Sequence, residues 1–273
     1  MLPLPFSSYV RVFNHNPPRG DLDFVLEEYR KYHHLIPRSN ELLESYLSTG
    51  GFPNAIRDYV RTGRVKEGTL SDFLSAVISD LNKLRRSETF FKLTVRGILE
   101  RTTIEFSYHT LSRSFGVGSV KTAISYVELL QKIYLLKVLE QVDLEGNPLP
   151  RKEKKFNFVN PLVYRAFSHW TSVNLTEEIR LVEGIVVNHL SRTYKTLYTK
   201  VRGEVDVVVR RRGELLGLEV KFGKVRQEKE STGEDEEDLP PEQGRGGRER
   251  DTCLFLSMLD TPHTVELKVM TQG

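Results

Sequence analysis

The chain of 273 residues contains a single cysteine, Cys253, and no long apolar run. One cysteine cannot form an intrachain disulfide or a cysteine-built zinc site, and it is typical of proteins from a reducing compartment. No apolar stretch approaches the length that crosses a bilayer. Pro3, Pro5 and Ser7 interrupt the apolar core that a signal peptide needs. These absences predict a cytoplasmic protein without a membrane partner.

The sequence also lacks the Gly-x-x-x-x-Gly-Lys-Ser/Thr loop that wraps nucleotide phosphates. Gly223 and Lys224 are followed by Val225, so they do not form such a loop. We therefore expect no nucleotide site in this chain, which excludes an ATPase that works on its own.

Charge is unevenly distributed along the chain, whose formal total is +3. Residues 226–251 contain ten acidic and five basic residues, a net charge of −5, which leaves +8 for the rest. A basic excess suits a polyanionic partner, although an ordinary charged surface is the alternative. The segment 226–250 is rich in acids and glycine, with Leu239 as its one large aliphatic residue, and this composition predicts disorder.

Two predicted strands carry charged residues, in the segments Gly203–Asp206 and Leu218–Lys221. Side chains alternate along a strand, so Glu219 and Lys221 share a face. A short turn at residues 211–213 predicts a hairpin that brings Asp206 near Glu219. Two carboxylates and an ammonium on an apolar hairpin are costly to bury unless they bind something, most simply a divalent cation. An exposed cross-strand salt bridge is the alternative for Glu-x-Lys alone.

A third acid lies in a predicted helix from about Glu177 to Tyr194. Apolar residues surround Glu183 at helical spacing, which places this acid on the buried stripe. They are Ile179, Val186, Val187 and Leu190.

The middle of the chain has the pattern of a helix-turn-helix followed by two strands. We predict helices over 108–115 and 120–132, and strands over 133–142 and 154–159. If this unit binds DNA, the exposed start of the second helix would contact it through Lys121, Thr122 and Ser125. Lys154 and its neighbours Lys152 and Lys155 would contact phosphates, as would Arg202 and Arg211 beside the acidic hairpin. A protein–protein module is the alternative.

Residues 1–100 are predicted to be helical, residues 101–160 to form the helix-turn-helix unit, and residues 161–273 to form a mixed α/β domain. The last part includes predicted strands over 252–258 and 264–270. The expected fold class is therefore a multi-domain α+β protein.

The order of an acidic helix, a strand with Asp206 and a strand with Glu219 and Lys221 resembles the PD-(D/E)xK nuclease superfamily. This resemblance implies a restriction-endonuclease-like domain, in which helices flank a small mixed sheet. It implies that Mg²⁺ or Mn²⁺ is held by Asp206, Glu219, the Val220 carbonyl and Glu183. Asp206, Glu219 and Lys221 would be catalytic, with Lys221 positioning the attacking water or stabilising charge on the phosphate.

The start Leu2–Ser7 and the segment Tyr46–Pro53 are similar to a prokaryotic, largely archaeal, family of predicted AAA+-type ATPases. That family has a helical lid, a winged helix and a PD-(D/E)xK-like domain after its nucleotide-binding core. This order is matched from about residue 1 to 225. Because the P-loop is absent, the resemblance implies the C-terminal part of such a protein, either split or shortened, whose ATPase core lies on another chain or in a missing segment.

Three functions follow as hypotheses. The first is a DNA-binding, metal-dependent nuclease-like protein that hydrolyses phosphodiester bonds. The second is a non-catalytic module that binds DNA or protein and regulates a split or truncated ATPase. The third is a transcription regulator that binds duplex DNA without metal.

Overall fold

The computed structural model describes residues 3–13, 39–174, 178–201, 203–211, 213–223, 252–256 and 264–271. Within these residues the fold is α+β, with helices first and two antiparallel sheets later in the chain. Residues 21–32, within the part predicted to be helical, and the segment 226–250 lie outside the described residues, as does Arg202.

The first part of the described chain is helical, as its apolar periodicity predicts. Its helices are α1 (Phe6–Val12), α2 (Ser39–Thr49), α3 (Pro53–Thr62), α4 (Glu67–Lys83) and α5 (Glu88–Glu100). The apolar residues of α2 recur at helical spacing and are buried; they are Leu42, Leu43, Tyr46 and Leu47. Between α2 and α3, Gly50 and Gly51 both have positive φ. A side chain at Gly50 would collide with the Asn160 amide oxygen, so this turn requires glycine.

Two short helices and a two-stranded sheet follow. They are α6 (Tyr108–Ser114), α7 (Val120–Lys132), β1 (Leu136–Glu140) and β2 (Lys154–Phe158). The side-chain oxygen of Ser119 accepts a hydrogen bond from the Thr122 backbone N–H at 3.1 Å, which caps α7. The strands β1 and β2 pair antiparallel, with Val138 opposite Phe156. These bounds agree with the predicted elements to within a few residues.

The rest of the described chain combines two helices with a five-stranded sheet. The elements are α8 (Pro161–Thr171), α9 (Glu178–Leu190), β3 (Thr196–Thr199), β4 (Val205–Arg211), β5 (Glu214–Gly223), β6 (Thr252–Leu256) and β7 (Thr264–Thr271). The strand order is β3-β4-β5-β7-β6. The helix α9 packs on β4 and β5, and it also contacts β2.

The pairing within the five-stranded sheet differs from the mixed sheet that the nuclease resemblance implies. Every pairing among its described strands is antiparallel. Few residues separate β3 from β4 and β4 from β5 in the chain, and such short connections permit only antiparallel pairing. A parallel neighbour would require a crossover connection, and β7 instead runs antiparallel to both β5 and β6.

The two sheets are in direct contact. The Val142 backbone N–H donates to the Tyr198 carbonyl at 2.9 Å, and the Thr199 hydroxyl donates to the Val142 carbonyl at 3.0 Å. From β4, Arg210 donates to the carbonyls of Glu145 and Gly146, both at 3.2 Å. These bonds join β3 and the end of β4 to the segment between β1 and β2. None of the helices in the described part of the chain is both long and apolar enough to span a bilayer.

Candidate functional site

The β4–β5 hairpin places Asp206 beside the Glu219 segment, as the sequence predicts. Val207 lies opposite Leu218 in the last pair of this ladder. Asp206 is the next residue of β4 beyond that pair. The Val220 backbone N–H donates to Asp206 Oδ2 at 2.9 Å. The Asp206 carboxylate therefore accepts a hydrogen bond that a backbone carbonyl would accept if the ladder continued. This bond to β5 fixes the position of the carboxylate.

The second oxygen of Asp206 faces a lysine from the other sheet. Lys155 Nζ lies 3.2 Å from Asp206 Oδ1 and 2.9 Å from Glu204 Oε1. The Lys155 side chain has 0% exposure, whereas that of Glu204 has 45%. Lys155 is therefore a buried cation that pairs with Asp206 of β4 and with Glu204, which directly precedes that strand.

This burial corrects the prediction that Lys155 contacts phosphates. A basic strand next to a turn predicts an exposed wing, but both faces of β2 are covered from Lys155 onward. Phe156 and Phe158 lie within the hydrophobic core. Lys155 and Asn157 alternate with them and are also fully buried. Their alternation was visible in the sequence, but nothing in the sequence indicated that a second sheet and α9 would cover them.

Glu183 is buried in α9, as its apolar neighbours predict, with 4% exposure. Its Oε1 has no hydrogen-bond partner within the described part of the chain. Burial raises the pKa of Glu183 to about 8, Lys155 opposes this rise, and Asp206 and Glu204 add to it. Glu183, Asp206, Glu204 and Lys155 thus form one electrostatic cluster, which we call the acid–lysine cluster.

The cluster has aromatic neighbours. The ring centroid of Tyr198 lies 5.7 Å from Lys155 Nζ, and its hydroxyl donates to the Glu153 carbonyl at 2.7 Å. The Tyr164 hydroxyl accepts from the Phe158 backbone N–H at 3.0 Å, and this tyrosine lies within the field of Glu183. These contacts limit water access and strengthen the charge interactions of the cluster.

The donor chemistry of the cluster fits a hard divalent cation. In an antiparallel strand, the N–H and C=O of one residue point to the same edge. Because the Val220 N–H points at Asp206, the Val220 carbonyl is on that edge too. With Asp206 and the unpaired oxygen of Glu183, the chain offers three oxygens of the kind that Mg²⁺ and Mn²⁺ prefer.

The acids are not assembled as a finished metal site. Across the described ranges, no group of three His, Cys, Asp or Glu side chains is close enough to hold one ion. The ammonium of Lys155 lies at Asp206 instead. Glu219 is half-buried on β5 and has interactions of its own, and Lys221 lies on the same strand, opposite Glu266 in the β5–β7 register.

The predicted nucleic-acid residues lie in different environments. Lys121 is exposed at the start of α7, while Thr122 and Ser125 are half-buried on the same helix. Lys154 Nζ donates to the Pro150 carbonyl at 3.0 Å and to the Lys152 carbonyl at 3.3 Å, which holds it against the turn before β2. Arg211 ends β4, is half-buried and has interaction partners.

Residues 40–173 match a family model described as a domain of unknown function, DUF8612. No curated protein and no solved structure matches the chain. The matched segment includes most of α2 and extends through α8, so it contains Lys155 and Asn157. It ends before Glu183 and Asp206.

Proposed function

We propose that this protein is a DNA-binding, metal-dependent nuclease-like protein that hydrolyses phosphodiester bonds. The observation that carries the proposal is the carboxylate of Glu183, which is buried with one oxygen unpaired and lies in the field of Asp206. A buried, unpaired acid is costly unless it serves a ligand, and functional sites are where such groups concentrate.

The residues that would hold Mg²⁺ or Mn²⁺ are Asp206, Glu219, the Val220 carbonyl and Glu183. When bound, the ion would polarise a phosphate and activate water. The Val220 N–H holds the Asp206 carboxylate in one orientation. Lys221, two residues beyond Glu219 on β5, would orient the attacking water or neutralise phosphate charge.

DNA contact is proposed for the start of α7. Two helices joined by a turn and followed by a two-stranded sheet are the elements of a winged helix. Lys121 is exposed at the first turn of α7, where a helix N-terminus favours phosphate. The DNA would be contacted by Lys121, Thr122 and Ser125. The DNA backbone would lie near Lys154 and Arg211.

A second candidate is a non-catalytic module that couples DNA or protein binding to an ATPase core on another chain. It is favoured by Lys155, which already neutralises Asp206 without an added cation. The lack of three assembled ligands within the described residues points the same way. The two candidates share the same residues and differ in whether Asp206 and Lys221 act on a phosphodiester.

Cleavage of supercoiled plasmid and of single-stranded DNA with excess Mn²⁺ tests the proposal. Asp206→Ala and Lys221→Ala should each lose more than the roughly 10- to 100-fold that removal of an outer-shell partner costs. Glu214→Ala is the matched control, since Glu214 is an exposed acid on the same hairpin. This variant should cleave like the wild type.

Equal cleavage by the wild type and both site variants would remove the assigned site. A wild-type chain that binds duplex DNA and cleaves neither substrate would favour the non-catalytic module.

A further inference from the structure

We infer that Lys155 is a built-in competitor of the metal ion, whose ammonium occupies the cation position at Asp206 until a divalent ion displaces it. The inference rests on the proposed metal site and concerns the regulation of that site. It starts from the Lys155 side chain, which has 0% exposure and whose ammonium lies between the carboxylates of Asp206 in β4 and of Glu204 just before that strand.

The burial of Lys155 requires the acids. An isolated ammonium in the interior is strongly unfavourable, and only close opposite charges offset its loss of hydration. Lys155 has Asp206 and Glu204 as direct partners, and Glu183 acts on it through space. The cluster is therefore built to hold a cation, and Lys155 supplies it.

The geometry leaves little room at Asp206 for a second cation. Asp206 Oδ2 accepts from the Val220 N–H at 2.9 Å, and Oδ1 is the oxygen that faces Lys155 at 3.2 Å. A metal ion bound to Oδ1 would lie within a few ångströms of the ammonium. Like charges at that distance repel strongly in a poorly hydrated site.

Lys155 has a position to which it can retreat. Its Nζ is already 2.9 Å from Glu204 Oε1, and Glu204 is 45% exposed at the side of the cluster. Lys200 also faces Glu204, with its Nζ 4.0 Å from Oε2, and is paired with Glu105. When Lys155 leaves Asp206 for Glu204, its charge stays paired and Asp206 becomes free to bind the ion.

The consequence is that the two-stranded sheet, through Lys155, determines the affinity of the acids for a divalent ion. Lys155 belongs to β2, whereas the proposed ligands lie on α9, β4 and β5. Any event that moves β2 away from β4 would raise the affinity of the acids for a divalent cation, and ion binding would in turn loosen this contact.

Calorimetric titration of the full chain with Mn²⁺ tests the inference. Lys155→Met removes the ammonium and keeps the length of the side chain. Its affinity for Mn²⁺ should exceed that of the wild type by roughly tenfold or more, within the usual range of coupling between sites. Lys132→Met is the control, because Lys132 is an exposed lysine in the last turn of α7 and does not belong to the acid–lysine cluster. It should bind Mn²⁺ like the wild type.

Equal affinities of the wild type and Lys155→Met would overturn the competition and leave the metal site intact. If no variant binds Mn²⁺, including Lys155→Met, both the inference and the proposed metal site fail.

Lys155→Met leaves the carboxylates of the acid–lysine cluster without their cation, which can prevent folding. The double variant Lys155→Met with Glu204→Gln removes one of these charges and keeps the ligands Asp206 and Glu183. A wild-type crystal grown at high Mn²⁺ provides an independent measurement. The expected result is an ion at Asp206 with Lys155 shifted to Glu204. An ion at Asp206 with Lys155 still at its present distance would overturn the inference.

Discussion

Asn157 is fully buried on β2, and neither atom of its side-chain amide has a hydrogen-bond partner in the described part of the chain. Glu183 Oε1 is in the same state. Buried polar groups are nearly always paired, because each unpaired one costs about 1–3 kcal/mol. Two such residues next to the paired Lys155 indicate that this region has been kept polar at the expense of stability, which is typical of functional sites.

His189 of α9 is a half-buried residue, and both of its ring nitrogens form hydrogen bonds. Its Nε2 accepts from the Phe6 backbone N–H at 2.9 Å, and its Nδ1 donates to the Ile185 carbonyl at 2.7 Å. The bond from Phe6 requires an unprotonated Nε2 and hence the neutral ring, and burial lowers the pKa of His189. The unfolded chain therefore binds a proton more readily than the folded one.

We predict that His189 makes the protein less stable in mild acid. Because the folded pKa is below the unfolded value of about 6.5, the free energy of unfolding falls as pH decreases below that value. His189→Gln keeps an acceptor for the Phe6 N–H and removes the titration. Urea unfolding between neutral and mildly acidic pH should show a smaller loss for this variant, and identical pH profiles would contradict the prediction.

At the scale of elements, α8 is the helix that joins the helical part of the chain to the sheets. It contacts α2, α4, α5, α9 and β2. Asn160 caps it: its Oδ1 accepts from the Leu162 backbone N–H at 2.9 Å, and its Nδ2 donates to the Gly50 carbonyl at 2.6 Å. The buried Asn160 side chain thus forms hydrogen bonds with one backbone group at the start of α8 and one in the turn after α2.

Asn160→Ala should lower the free energy of unfolding by about 2 kcal/mol, since it loses a helix cap and a buried hydrogen bond. Ser119→Ala is the control, because Ser119 is an exposed cap whose loss should cost about 1 kcal/mol. Chemical denaturation measures both values. Asn160→Asp keeps the cap acceptor, so a loss equal to that of Asn160→Ala would show that the bond to Gly50 dominates.

At the scale of the whole molecule, charge separation is the main feature. The chain outside residues 226–251 carries a formal charge of +8, and that segment carries −5. An acidic stretch attached to a basic protein lowers its attraction for DNA, because phosphate contacts dominate non-specific affinity.

We predict that replacing the acids of residues 226–251 by their amides strengthens non-specific binding to duplex DNA. The gain should be large at about 50 mM salt and small at about 300 mM, because salt screens the contribution of charge. Fluorescence anisotropy of a labelled duplex measures it. A gain that does not depend on salt would contradict the electrostatic explanation.

The sequence by itself determined the elements and their faces. Apolar residues at helical spacing encode the burial of Leu42 and Glu183, and strand alternation with a short turn encodes the proximity of Asp206 to β5. These features depend on residues that are neighbours in the chain, so their periodicity is visible without coordinates. The bounds of α7, Val120–Lys132, agree with the prediction for the same reason.

Only the tertiary structure decided the contents of the acid–lysine cluster and the pairing of its sheet. Lys155 and Asp206 are 51 residues apart, and no local pattern connects them. A lysine beside a turn predicts solvent exposure until a second sheet and a helix cover it. The antiparallel order β5-β7-β6 likewise depends on long-range pairing. Local periodicity determines which face of an element is apolar, whereas the partner of that face is determined by packing over the whole chain.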